Sequence, residues 1–274
     1  MNFCSPKSFI FFISIAISLL NVFKNYNLQS LRTYSGIKFK MLAGFTHLVS
    51  SNKSYYYVSD FESKKIFILN DNWNLLDVRS FAQFPGYMIT IDGCIYMTTP
   101  GNLYITNQDL MILVTYVDIN SSGYSGIYYN SSNKLIFFAA YNLKEIHVFD
   151  IYLRFNHSIS TSTFVPLSVV GNTNRLYVGT SIGKVIIIVN KKIIAKFDAC
   201  NQIIENVNSI LIDQYGYLAT TCPARDNSFS YLYFVNGTFA KKRIPITGQY
   251  AQYIGFDSIE RFIILTNNQI LLYY

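Results

Sequence analysis

Apolar and polar positions along this chain change over in short runs, separated by clusters of Asn, Asp, Ser and Gly. Runs such as Lys65-Ile66-Phe67-Ile68 and Val185-Ile186-Ile187-Ile188-Val189 are rich in β-branched and aromatic residues and too short for helices, so they read as strands. No stretch after residue 30 keeps a helical period over three turns, and little helix is expected. The runs also repeat. Strands beginning near Tyr55, Cys94, Leu135, Arg175, Tyr217 and Arg261 superpose on Tyr57, Tyr96, Phe137, Tyr177, Leu218 and Ile263, at spacings of 39, 41, 40, 41 and 45 residues.

A polar turn residue stands shortly before each anchor: Asn52, Asp92, Asn130, Asn172, Asp213 and Asp257. A second set, Asn70, Asn107, Asp150, Asn190 and Asn236, follows the next apolar run. Asn and Asp tolerate left-handed backbone and hydrogen-bond their own main chain, so each set predicts hairpins. One repeat then holds an inner strand such as Ser209 to Ile212, a second such as Arg175 to Gly179, a third such as Val185 to Val189 and a fourth such as Ile193 to Phe197. Four antiparallel strands in about 40 residues make a propeller blade. The expected fold is all-β, a six-bladed β-propeller of four-stranded blades. The sixth repeat stops after its third strand, Gln269 to Tyr274, while Ile37 to Leu42 alternates apolar and polar positions. That predicts an N-terminal strand closing the last blade, which would cover its open edge.

Ahead of the repeats, Lys7 precedes an apolar stretch from Phe9 to Phe23 that ends at Lys24. Such a stretch has signal-peptide length and is short against the roughly 20 residues of a spanning helix. Residues 1–29 are expected to be a signal peptide or, if uncleaved, a signal anchor, and residues 30–274 the propeller. Secretion follows, with membrane attachment only through an uncleaved anchor. The chain is 51% hydrophobic and 14% charged, which excludes a disordered polymer. Its net charge of +7 is spread over pairs such as Lys64-Lys65 and Lys191-Lys192, so no nucleic-acid partner is expected.

Cys4 would leave with the signal, and Cys94, Cys200 and Cys222 form no metal-type cluster. In a propeller, the loop entering a blade and the loop between its second and third strands share a face. Cys200 falls in the first and Cys222 in the second, so a Cys200–Cys222 disulfide is expected, with Cys94 a packing thiol.

The run Tyr57-Val58-Ser59-Asp60 with Lys65-Ile66-Phe67-Ile68 resembles an NHL repeat, and Leu176-Tyr177-Val178-Gly179-Thr180 with Val185 to Val189 resembles a YVTN-type propeller repeat. The resemblance runs from about residue 45 to 274. Only the first repeat has the NHL-style aspartate, Asp60; the equivalent positions hold Thr99, Ala140, Thr180, Thr221 and Thr266. The resemblance implies enzyme relatives of the gluconolactonase and paraoxonase type, which hold a divalent metal with oxygen ligands from several blades. Here the equivalent inner-strand starts hold His47, Tyr87, Ser125, Leu167, Asn208 and Gln252, with no carboxylate, and the nearest acids, Asp118, Asp198 and Glu205, lie in loops. Zinc-binding lyase propellers use several histidines, but His47, His147 and His157 fall at different radii. There is no GxSxG elbow or Gly-rich phosphate loop.

The expected function is therefore a secreted, non-catalytic binding or scaffolding module for a protein or glycan partner, without metal or cofactor. A metal-dependent hydrolase of the gluconolactonase/paraoxonase-like type is the alternative. Glycosylation sequons stand at Asn52, Asn120, Asn130, Asn156 and Asn236. Asn52, Asn130 and Asn236 belong to hairpins of one face, which leaves the opposite face, with Gly86-Tyr87, Gly123-Tyr124 and Gly248-Gln249-Tyr250, for contact. His47, Tyr87, Tyr124, Asn208, Tyr250 and Gln252 are its expected binding rim. The same rings could instead pack over the loop bases and plug the channel.

Overall fold

The computed structural model describes residues 39–273, apart from 51–52, 119–122, 173, 201–205, 213–217, 224–228, 236–240, 248–250, 257–261 and 267–268. All regular structure among them is strand. The first sheet is β1 (Leu42–Ser50), β2 (Lys53–Asp60), β3 (Lys65–Asn70) and β4 (Leu75–Ser80); the second is β5 (Met88–Ile91), β6 (Cys94–Thr98), β7 (Asn102–Thr106) and β8 (Ile112–Val117). The third holds β9 (Tyr124–Asn130), β10 (Leu135–Ala140), β11 (Glu145–Asp150) and β12 (Phe155–Ser160), and the fourth β13 (Pro166–Gly171), β14 (Leu176–Thr180), β15 (Lys184–Val189) and β16 (Lys192–Asp198). The fifth comprises β17 (Ser209–Ile212), β18 (Leu218–Pro223), β19 (Phe229–Val235) and β20 (Lys241–Thr247), and a three-stranded sheet, β21 (Ala251–Phe256), β22 (Phe262–Thr266) and β23 (Ile270–Tyr273), comes last. Every sheet is an antiparallel meander in chain order.

The inner strands β1, β5, β9, β13, β17 and β21 each pack on the next, and β21 packs on β1, so the ring closes into an all-β propeller with four-stranded blades. Its core is a set of apolar wedges between neighbouring sheets. Tyr57 and Ile66 of the first sheet meet Met88, Ile95 and Tyr104 of the second, and Tyr96 and Leu103 of the second meet Ile136 and Phe138 of the third.

The expected N-terminal closing strand is not found among the described residues. Ile37 and Lys38 lie outside them, Phe39 to Met41 are irregular, and Leu42 already begins β1. The cause is Asp60, the NHL-style aspartate, which is fully buried at the end of β2. Its carboxylate accepts the Lys40 N–H at 2.8 Å and the Met41 N–H at 2.9 Å, since a buried carboxylate must find donors. The chain is thereby drawn to the first sheet, and Phe39 packs edge-on against Phe67, 4.9 Å away. At the equivalent positions a threonine does a smaller version of this. Thr99, Thr180 and Thr266 donate to the carbonyls of Asn102, Lys184 and Gln269, tying the turn between second and third strands.

Of the second Asn/Asp set, Asn70, Asn107, Asp150 and Asn190 form the predicted hairpins between third and fourth strands, and Asn236 lies outside the described residues. In the first three blades Asn70, Asn107 and Asp150 each accept the N–H groups two and four residues on, at 2.8 to 3.0 Å. The residue three positions on, Trp73, Leu110 or Leu153, is left-handed and buried. It plugs the wedge toward the preceding blade: Trp73 lies with Leu265 and Leu272, Leu110 with Tyr57 and Ile68, Leu153 with Tyr96 and Ile105. The fourth blade differs. Asn190 and Lys191 are both left-handed and make a two-residue turn without any plug.

Candidate functional site

The mouth of the channel is built where inter-blade loops enter the inner strands. Tyr87, just before β5, extends its hydroxyl to the carbonyl of Asn208, just before β17, at 2.6 Å. β9 and β13 stand between these strands on one side of the ring and β21 and β1 on the other, so the phenol crosses the channel. Asn208 in turn donates from Nδ2 to Oε1 of Gln252 at 3.1 Å, and the Tyr87 ring lies 5.7 Å from that of Tyr253. Burial pushes the Tyr253 phenol up to about 12, as expected where little water enters.

Of the expected rim residues, Tyr87, Asn208 and Gln252 thus come together, as a brace across the mouth. Of the other three, Tyr124 and His47 do not join them. Tyr250 lies outside the described residues. Tyr124 is only 4% exposed, in the wedge between second and third blades, with its hydroxyl 3.0 Å from Nδ1 of His147. Its ring is drawn inward by Phe138 and Phe149. His47 is not at a strand start, because β1 begins at Leu42 and it is Gly44 that meets Gly86 and Tyr87. Three residues further along a strand is about 10 Å from that level.

The other sequence candidates are also placed. Cys200 and Cys222 form a disulfide with Cα atoms 5.8 Å apart, and Cys94 is a half-buried free thiol beside the Asp92-Gly93 turn. His147 and His157 lie on β11 and β12, and Asp198 is paired with Lys184. No group of three or more His, Cys, Asp or Glu able to hold a metal occurs among the described residues. Of the sequons, Asn52, Asn120 and Asn236 lie outside the described residues, Asn156 is exposed on β12, and Asn130 is 6% exposed.

Sequence reasoning missed a cleft on the hairpin face, opposite the channel mouth. It measures about 490 Å³ and lies where the third and fourth blades meet. Phe137, Ile159, Leu176 and Ile188 form its floor, and the hairpins contribute Asn130, Asn133, Asn172, Arg175 and Lys191. It occupies the one wedge, of the first four blades taken in turn, whose hairpin supplies no plug. The anchor residue differs there too. Tyr57 and Tyr96 donate across the wedge to Gln108 and Ile151 carbonyls at 2.8 and 2.7 Å, but Phe137 has no hydroxyl. On β12 beside the cleft, His157 has its protonation disfavoured, first by burial and then by the charge of Lys191.

No protein-family model and no curated protein sequence matches the chain. Its shape is matched by solved structures. A streptogramin B lyase is 12% identical, with 89% of this chain and 97% of that chain covered and a TM-score of 0.63. A virginiamycin B lyase from Staphylococcus aureus with quinupristin is 14% identical over 89% and 98%, TM-score 0.63, and the WD40 domain of Neurospora crassa Pan2 is 9% identical over 85% and 74%, TM-score 0.59. The likeness is one of fold, the β-propeller. It extends to an enzyme and to a WD40 domain alike, so it selects no activity.

Proposed function

We propose that the chain is a non-catalytic binding or scaffolding propeller of an oxidising, extracellular compartment, built of six NHL- or YVTN-like blades with the three-stranded sheet as the sixth. The observation that carries the reading is the brace across the channel mouth. There the Tyr87 hydroxyl donates to the Asn208 carbonyl and the Asn208 amide to Gln252 Oε1, at the level where a propeller hydrolase of the lactonase type would present ligands to metal and substrate. The Cys200–Cys222 disulfide supports the compartment, since such bonds persist outside the reducing cytosol. Of the two described sequons, the exposed Asn156 is the one placed to carry a glycan.

The test is expression of the full chain in a secreting host. The medium is expected to contain a protein that begins after the Phe9 to Phe23 stretch, retains the disulfide under non-reducing mass analysis, and leaves lactones and aryl esters intact with calcium or zinc added. Calcium-dependent lactone hydrolysis that disappears in a Gln252→Ala variant would establish the hydrolase instead. Retention of the whole chain inside the cell with free thiols at Cys200 and Cys222 would overturn the compartment.

A further inference from the structure

The cleft between the third and fourth blades has a one-sided chemistry. Asn130 accepts the Ser132 N–H through Oδ1 at 3.0 Å, Asn133 that of Leu135 at 3.1 Å, and Asn172 those of Asn174 and Arg175 at 3.3 and 3.1 Å. With each amide oxygen committed to the backbone, each Nδ2 is left to donate. Arg175 and Lys191 add a guanidinium and an ammonium that have no ion pair among the described residues, and no Asp or Glu lines the cleft. The wall is therefore rich in donors and positive, over an apolar floor of Phe137, Ile159, Leu176 and Ile188.

We propose that this cleft binds an acidic oligosaccharide, one bearing sulfate or carboxylate groups. The inference rests on the reading of the chain as a binding module. Sulfates, carboxylates and ring oxygens are acceptors that match the amide and cationic donors, and charge-assisted bonds of this kind are the strong ones. The C–H face of a pyranose matches the floor. An acidic peptide fits less well, because each of its carbonyls comes with an N–H donor that a wall of donors leaves unpaired. A nucleic acid needs a longer basic track than this compact cleft offers. The space itself comes from the sequence. The two-residue Asn190-Lys191 turn replaces the five-residue hairpin that plugs the three preceding wedges, and Phe137 stands where Tyr57 and Tyr96 bridge theirs.

The experiment is calorimetric titration of the disulfide-bonded protein with three probes: a heparin-derived hexasaccharide, neutral maltohexaose and hexaglutamate. The sulfated hexasaccharide is expected to bind at least 10-fold more tightly than either of the others. Arg175→Glu with Lys191→Glu, both on the exposed surface, is expected to weaken it at least 10-fold, and Val189→Trp, which fills the cleft without changing charge, by a similar factor. Lys53→Glu with Lys65→Glu, an equal change of charge on the first blade, is expected to leave it within 2-fold. Equal loss in the two charge-reversal variants would reduce the effect to overall charge and overturn the proposal, as would hexaglutamate binding as tightly as the saccharide. Absence of any binding by the sulfated hexasaccharide would overturn it too, while leaving the binding-module reading to stand on the hydrolysis and secretion tests.

Discussion

Tyr57 shows how one side chain of the repeat does two jobs. Its ring is buried in the wedge between first and second blades, and its hydroxyl donates to the Gln108 carbonyl in the hairpin of the next blade. Burial, with smaller contributions from Asp109 and Tyr55, pushes the phenol up to about 12. Tyr96 repeats the arrangement one blade on, also at about 12, with burial again the main cause. An unfolded tyrosine ionises near 10. Between about pH 10 and 12 the unfolded chain therefore holds fewer protons than the folded one, and stability falls as pH rises through that window. The contribution is complete below pH 10. Tyr57→Phe is expected to cost about 1 kcal/mol at pH 8 through the lost hydrogen bond, and to make the fall between pH 10 and 12 shallower. Urea titrations followed by the emission of Trp73, the chain's single tryptophan, measure both. An alkaline slope equal to that of the parent would show that Tyr57 does not titrate with unfolding.

At the scale of elements, the hairpins between third and fourth strands decide which wedges are filled. Leu153 holds a left-handed backbone, φ 56°, which costs energy for any residue but glycine, and it keeps that conformation because its side chain closes the wedge. Leu153→Ala retains the strain and removes the plug. It is expected to cost about 2–4 kcal/mol, read as a shift in urea midpoint. A cost below about 1 kcal/mol would mean that the hairpin, not its plug, holds the wedge together. These elements also mark how far the sequence could be read. The four-stranded blade and its hairpin positions were legible because Asn70, Asn107, Asp150 and Asn190 punctuate apolar runs at a steady interval, and the strands predicted around Arg175 to Phe197 fall within a residue or so of β14, β15 and β16. The disulfide followed from the same geometry. The cleft was hidden because those four polar residues look alike in one dimension, whereas two of the consequences, a left-handed buried plug or a bare turn, depend on loop length. Tyr124 was misread since a Gly-Tyr pair at a loop resembles a surface anchor until Phe138 and Phe149 appear beside it. The expected N-terminal strand is not found among the described residues, where Asp60 holds Lys40 and Met41 instead, because periodicity carries no information about a buried carboxylate.

For the whole molecule the question is what joins blades that are not neighbours. Wedge packing connects each blade only to the next, as in other repeat architectures, so a local defect need not be felt across the ring. Tyr87 is an exception, because its hydroxyl ties the entrance of the second blade to the Asn208 carbonyl at the entrance of the fifth. Close inter-blade approach makes this possible: Gly44 lies so near the Gly86 carbonyl that a Cβ there would sit 2.2 Å from it, which sets Tyr87 at the edge of the channel. Tyr87→Phe is expected to lose about 1 kcal/mol of global stability, since the carbonyl gives up a donor at a half-buried site, and Tyr87→Ala more, through the contact with Tyr253. The more telling measurement is hydrogen exchange. If the brace couples opposite blades, Tyr87→Phe raises amide exchange at β17 as well as at β5, while β11, which it does not touch, changes only by the global shift. Exchange that rises at β5 alone would reduce Tyr87 to a local contact. The cleft faces the other way, so its affinity for the sulfated hexasaccharide is expected to be the same in Tyr87→Phe as in the parent, and a change beyond 2-fold would show that the two faces communicate through the ring.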